Sequence, residues 1–160
     1  MRSGLELDRT ARFGLIDEWQ SWQHDYIPSG GIVGKVYLDV GACCGESAHL
    51  AYRNGAASVT SIEMDPRRCA IIRRNAKRFG WPDFTLIERP FRIEDLDIPH
   101  QFAKLDIEGW EALLLERDLL GPMSLEVHNW YLVHRFKERG FRLLTQPDPM
   151  LGKCIMANWT

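Results

Sequence analysis

The sequence predicts an α/β fold: a doubly wound, mostly parallel seven-stranded sheet with an antiparallel strand at its C-terminal end. Three observations predict it. From residue 35 onward, short β-branched runs alternate with helical patterns, as βαβ units require. The first strand run, over residues 35–40, is short, apolar and β-branched, as a buried parallel strand is. The last two runs are joined by the turn-rich Gln146-Pro147-Asp148-Pro149. That link has no room for a crossover helix, so these two strands are antiparallel neighbours.

The elements follow in order. Residues 1–31 stand apart as an N-terminal helical cover. Phe13, Ile16, Trp19 and Trp22 recur at helical spacing there, and the helix ends before Pro28-Ser29-Gly30-Gly31. Residues 32–160 form the sheet domain. Residues 35–40 read as the first strand, stopped by Gly41. A helix over 46–53 closes at Asn54-Gly55, and a second strand over 58–62 ends at Glu63. Asp65-Pro66 opens the next helix, with Pro66 at its first position, and Gly80-Trp81-Pro82 stops it after Phe79. Strand three covers 84–87, an irregular stretch runs to Pro99, and strand four covers 102–106. A helix is expected over 110–120, ended by Gly121-Pro122, and strand five over 124–127. A helix over 131–139 has Gly140 at its end, and strands over 141–144 and 154–157 complete the sheet.

Composition narrows the function classes. The chain has 160 residues, 45% hydrophobic and 26% charged, within the range of a single soluble domain. A net charge of −2 argues against a dedicated nucleic-acid binder. Arg67, Arg68, Arg73, Arg74, Lys77 and Arg78 share helical spacing and read first as a solvated helix face, with an anionic partner as the alternative. Cys43, Cys44, Cys69 and Cys154 have neither zinc-site nor disulfide-scaffold spacing, so reduced thiols in a cytoplasmic protein are expected. No leader-like apolar region opens the chain, and no apolar run approaches the roughly 20 residues that span a bilayer, so no membrane partner is expected.

The first strand ends in Asp39-Val40-Gly41-Ala42-Cys43-Cys44-Gly45. In open α/β sheets, ligands bind at such carboxyl ends, and the helix that follows aims N–H groups into the turn. A dinucleotide fingerprint needs glycine where Cys43 stands, and a phosphate-binding Walker loop needs lysine where Glu46 stands. A cationic ligand without phosphates suits the loop better, and S-adenosylmethionine is one. Glu63, at the end of the second strand, is placed to accept hydrogen bonds from vicinal ribose hydroxyls.

These segments resemble a known family. Val36-Tyr37-Leu38-Asp39-Val40-Gly41-Ala42-Cys43-Cys44-Gly45 resembles motif I of class I S-adenosylmethionine-dependent methyltransferases, and Val59-Thr60-Ser61-Ile62-Glu63-Met64-Asp65-Pro66 resembles their second motif. The resemblance implies a Rossmann-like fold. It also implies a cofactor site lined by Gly41, Ala42, Cys43 and Gly45, with Asp39 near the methionine end, Glu63 on the ribose and Met64 flanking the adenine. Glu88, or the backbone around Pro90-Phe91, would meet the adenine amine.

A second acidic cluster ends the fourth strand. Lys104-Leu105-Asp106-Ile107-Glu108-Gly109-Trp110-Glu111 resembles the K-[IL]-D-[VI]-E-G-x-E signature of the FkbM methyltransferases, and Leu125-Glu126-Val127-His128 resembles a later segment of that family. The resemblance implies oxygen methylation of sugars or secondary metabolites. Methyl transfer is an in-line displacement that depends mainly on holding acceptor and sulfonium together. A hydroxyl acceptor also benefits from a general base. Asp106, Glu108 and His128 are the candidates, and Asp106 is also a candidate to orient the cofactor's amino group. A divalent metal held by Asp106, Glu108, Glu126 and His128 is an alternative, but no spacing decides for it and no metal is expected. The expected partner is a small-molecule acceptor, with a homodimer through the N-terminal tryptophans as a further expectation. RNA or protein methylation, and nucleoside binding without turnover, are the competing readings.

Overall fold

The structure is a computed structural model, and it describes residues 4–8, 26–28, 30–119, 121–145 and 153–158. The expected N-terminal helix, its tryptophans and the link at 146–149 lie outside the described residues. The strands are β1 (Val36–Val40), β2 (Ser58–Glu63), β3 (Phe84–Glu88), β4 (Phe102–Leu105), β5 (Met123–Val127), β6 (Arg142–Leu143) and β7 (Cys154–Ala157). The helices are α1 (Glu46–Arg53), α2 (Pro66–Phe79) and α3 (Trp130–Glu138). The strands lie in the order β3-β2-β1-β4-β5-β7-β6. β1 pairs parallel with β2 and β4, β2 with β3, and β4 with β5, whereas β7 runs antiparallel to both β5 and β6. The mixed, mostly parallel sheet expected from the connection lengths is what forms.

Strand alternation divides the core in two. On one face Tyr37, Val59 and Phe102 pack with Ala48, Leu50 and Ile72 of α1 and α2. On the other, Leu38, Val40, Leu105 and Leu125 pack with Leu114, Leu132 and Phe136. Each fully buried Val, Leu, Ile or Phe side chain among them contributes roughly 1.5–3 kcal/mol. Local chemistry sets the helix ends. Asp65 accepts from the Arg67 N–H at the start of α2, with Pro66 beside it. At the end of α3, Gly140 (φ 87°) turns the chain so that its N–H meets Lys137 O and the Phe141 N–H meets Phe136 O. The rings of Phe136 and Phe141 then pack with centroids 5.6 Å apart, the hydrophobic contact that accompanies such a stop.

One element differs from expectation. In place of a helix over 110–120 there is a 3₁₀ segment, Glu111–Glu116. The carbonyls that would continue an α-helix are taken from outside: Arg139 donates to Leu115 O (2.6 Å), Arg117 O (2.7 Å) and Leu114 O (3.4 Å). The Glu111 side chain also folds back to accept from the Gly109 N–H at 2.8 Å. A second 3₁₀ turn, Ile93–Asp97, occupies the stretch read as irregular, with Asp95 accepting from the Arg92 N–H.

Candidate cofactor cleft and active site

The chain leaves β1 toward β2 on one side and leaves β4 toward β5 on the other. A crevice must open between the two departing loops, where open α/β sheets bind ligands. A cavity of about 700 Å³ lies there. The glycine loop, Glu63-Met64, Arg89-Pro90-Phe91, Asp106-Ile107-Glu108 and Trp110 all line it, joined by Tyr26, Glu126 and Lys153.

The glycine loop is tied to the end of β2. Gly41 and Ala42 donate to Ile62 O at 3.0 and 3.1 Å. Gly41 (φ 71°) passes so close to the β4 loop that a Cβ there would lie 1.9 Å from Asp106 O. Cys43, at φ 49°, donates its N–H to Glu63 Oε2 at 2.8 Å, and the Cys44 N–H is taken by Glu46 Oε2 at 2.9 Å. These N–H groups are therefore not free to cradle a ligand, as the sequence reading had them; carboxylates consume them. A phosphate would meet acids there instead of donors. Glu63 Oε1 accepts from the N–H groups of Met64 and Asp65, both at 2.9 Å, so three backbone donors hold this carboxylate rigid at the cavity wall. Met64 sits at the rim, 68% exposed.

Three predicted cofactor residues lie elsewhere. Asp39 is fully buried one layer below the cavity, accepting from Ser47 Oγ (2.7 Å) and Ser61 Oγ (3.2 Å), with Lys104 Nζ 3.7 Å away. It can act only through Ser47 and Lys104, which do line the cavity. Gly45 starts α1 against the Trp81 ring and is absent from the lining. Glu88, on the edge strand beside α2, is taken by the Arg73 guanidinium and does not reach the cavity. The alternative stretch, Pro90-Phe91, does reach it.

Asp106 is where the chemistry concentrates. Its Oδ1 is buried with no hydrogen-bond partner among the described residues, while the side chain as a whole keeps 22% of its surface open. Burial, reinforced by the charges of Glu126 and Glu108, raises its carboxyl to about 6 against the pull of Lys104 and His128. Glu46 has a similar standing: its Oε1 is buried without a partner, and burial raises it to about 7.

His128 takes a different part from the base the sequence suggested. Nδ1 lies 2.8 Å from Glu111 Oε1, and Nε2 lies 3.2 Å from Glu126 and 3.6 Å from Glu108. Bonds to Glu111 and Glu126 raise its pKa to about 10, so near neutral pH the ring is an imidazolium with no lone pair to offer. Burial alone would raise Glu126, but bonds from His128, Lys153 and Tyr26 and the charge of Lys153 bring it to about 2. Asp106, Glu108 and His128 each offer a ligand atom within 4.8 Å of the others. Glu108 is the exposed member and sits at the mouth, where Trp110 is 65% exposed.

Sequence reasoning used Glu46 only to exclude a phosphate loop and assigned no part to Lys104, Tyr26 or Lys153. Lys104 stands inside the quoted motif, so its position was visible but its neighbours were not. Tyr26 and Lys153 reach Glu126 from opposite ends of the chain (2.6 and 2.7 Å), a convergence no local pattern carries.

No protein-family model matches the chain, and no curated protein matches it in sequence. Solved structures do share its fold. Precorrin-6y C5,15-methyltransferase from Geobacter metallireducens GS-15 matches with a TM-score of 0.63 at 16% identity, over 99% of this chain and 94% of that one. The C-terminal domain of precorrin-6Y C5,15-methyltransferase from Rhodobacter capsulatus matches with a TM-score of 0.61 at 15% identity, over 78% and 79%. Ribosomal protein L11 methylase from Lactobacillus delbrueckii subsp. bulgaricus matches with a TM-score of 0.60 at 16% identity, over 97% and 81%. The chain thus has the Rossmann-like fold of these methyltransferases.

Proposed function

We propose that this chain is an S-adenosylmethionine-dependent methyltransferase that methylates a hydroxyl of a small acceptor, in the manner of the FkbM enzymes its acidic motif resembles. One observation carries the reading. At the switch point of a methyltransferase fold, a rigid carboxylate (Glu63) and a carboxylate with one buried oxygen left without a hydrogen bond among the described residues (Asp106 Oδ1) face one cavity whose loop N–H groups are already consumed. That wall rejects phosphate and suits a ribose at one end and a cation at the other. The fit to S-adenosylmethionine rests on the two buried oxygens without partners, Asp106 Oδ1 and Glu46 Oε1, which an ammonium and a sulfonium would compensate.

When bound, the cofactor supplies a methyl group on a sulfonium, already activated for displacement. The residues of the chain hold and orient. Glu63 keeps one acceptor site, on Oε2, for a ribose hydroxyl after its three backbone bonds. Met64 and Phe91 offer apolar walls for the base. Asp106, titrating near the operating range, is the group that takes the acceptor's proton. Glu108 and Trp110, at the mouth, meet the acceptor. Arg73 and Arg74 of the basic helix are engaged by Glu88 and Glu6, which weakens the case for a nucleic-acid acceptor.

Calorimetric titration with S-adenosylmethionine, S-adenosylhomocysteine and NAD tests this first. Micromolar binding of the first two and none of NAD is expected. Binding of NAD alone would overturn the cofactor assignment, and methyl transfer to RNA but to no hydroxylated small molecule would overturn the acceptor class.

A further inference from the structure

We infer that Lys104 is a positioning residue of this site: its buried ammonium ties the glycine loop to Asp106 and sets how readily Asp106 takes a proton. The inference rests on the reading of Asp106 as proton acceptor. Lys104 is 4% exposed in the middle of the sheet, in register with Asp39 of β1 and Ser124 of β5. Ser61 pairs with Asp39 in turn, so a polar row crosses four strands within an otherwise apolar face. An ammonium buried there costs free energy unless its partners compensate, and an apolar residue would avoid that cost. The partners are specific. Nζ donates to Gly41 O at 2.7 Å, with Val40 O at 3.4 Å, and stands 3.7 Å from both Asp39 Oδ1 and Asp106 Oδ2. Ser47 and Ser61 donate to Asp39 but carry no charge, so Lys104 is the counter-ion of that buried carboxylate and at the same time a contact of Asp106. One cation thus joins the carbonyl of the close-approach glycine to the candidate base.

Other charges face the same cavity. Glu108 comes from the loop of Asp106 itself, Glu126 from β5, Glu46 from α1, Arg68 from α2, Arg89 from the stretch after β3, and Lys153 from just before β7. Among the cations near Asp106, His128 is bonded to Glu111 and Glu126, and Lys153 to Glu126. Arg89 is paired with Asp95. Among the described residues, Lys104 is the cation whose ammonium contacts Asp106.

The test follows the Asp106 carboxyl by NMR against pH in isotope-labelled free protein, with Asp106→Asn as the assignment control. The wild-type midpoint is expected at about 6. Lys104→Gln keeps a donor for Gly41 O but removes the charge, and it should move the midpoint up by about 1–3 units. Lys104→Arg keeps the charge and should restore a midpoint close to wild type. An unmoved midpoint in folded Lys104→Gln would overturn the inference. If Lys104→Gln does not fold, the wild type decides. The Lys104 ammonium nitrogen should respond at the Asp106 midpoint, and a signal flat through that pH would overturn the coupling. S-adenosylhomocysteine binding to the same proteins reports on the cofactor separately: a moved midpoint without any binding would support the coupling and remove the methyltransferase reading.

Discussion

At Gly41 two loops approach so closely that the space for one methyl group decides whether the cleft can form. A Cβ would sit 1.9 Å from the carbonyl oxygen of Asp106, and the left-handed φ of 71° adds strain for any side chain. Gly41→Ala should therefore cost about 1–3 kcal/mol or more in denaturant unfolding and abolish cofactor binding in calorimetry. Glu63→Ala should lose cofactor affinity as well, because it frees the Cys43, Met64 and Asp65 N–H groups together and unfastens the loop from β2. Asp106 offers a test in which stability and function move oppositely. Its native pKa of about 6 lies above the ordinary 3.8, so the native state holds the proton more tightly than the unfolded chain. The contribution of Asp106 to stability therefore falls as pH rises from 3.8 to about 6 and stays lower above that. Asp106→Asn should be more stable than wild type at pH 8, by up to about 3 kcal/mol, with the gain vanishing in acid. It should also be inactive. Thermal melts across pH check the first part, and an equal pH response in both proteins would refute it. Gly41 and Glu63 were legible because a breaker and an acid at a strand end are local signals. The raised proton affinity of Asp106 was not, because burial depends on what covers the residue.

The 3₁₀ segment between β4 and β5 shows how an element can be decided from outside itself. Residues 111–116 have the leucines of a helix, yet Arg139, at the end of α3, holds the carbonyls where the helix would continue. This short segment presents Glu111 to both the Gly109 N–H and His128. Arg139→Ala should destabilise the fold by about 1–2 kcal/mol. It should also loosen the Glu111–His128 pair, seen as a fall in the His128 midpoint by NMR. An unchanged midpoint would show that the segment holds its shape without Arg139. The breakers that end the helices were readable because each satisfies its own neighbourhood, as Gly140 does with Lys137 and Phe136. The 3₁₀ segment was not readable, since Arg139 lies beyond a whole strand and helix.

Over the whole molecule, the sheet order places the loops of β1 and β4 side by side and brings both ends of the chain to Glu126 through Tyr26 and Lys153. The buried charge this creates has a global consequence. The native pKa of His128, about 10, lies above the ordinary 6.5, so its ion pairs stabilise the fold fully below pH 6.5 and are lost progressively as pH rises toward about 10. The melting temperature should fall over that alkaline window, and Glu111→Gln should flatten the fall. A wild-type melting temperature constant from pH 7 to 10 would contradict the clamp around His128. No described helix is long and apolar enough to cross a membrane.

The sequence by itself determined the alternation of strands and helices, the reversed C-terminal strand, and the strand-end positions of the glycine loop, Glu63 and Asp106. Periodicity, chain breakers and connection lengths all act over a few residues, so a linear reading captures them. The tertiary structure alone decided that Glu88 pairs with Arg73 away from the cleft, that Asp39 lies beneath it, and that His128 is a clamped cation instead of a base. Proton affinities and hydrogen-bond partners depend on burial and on charges from distant segments, which meet only when the sheet closes.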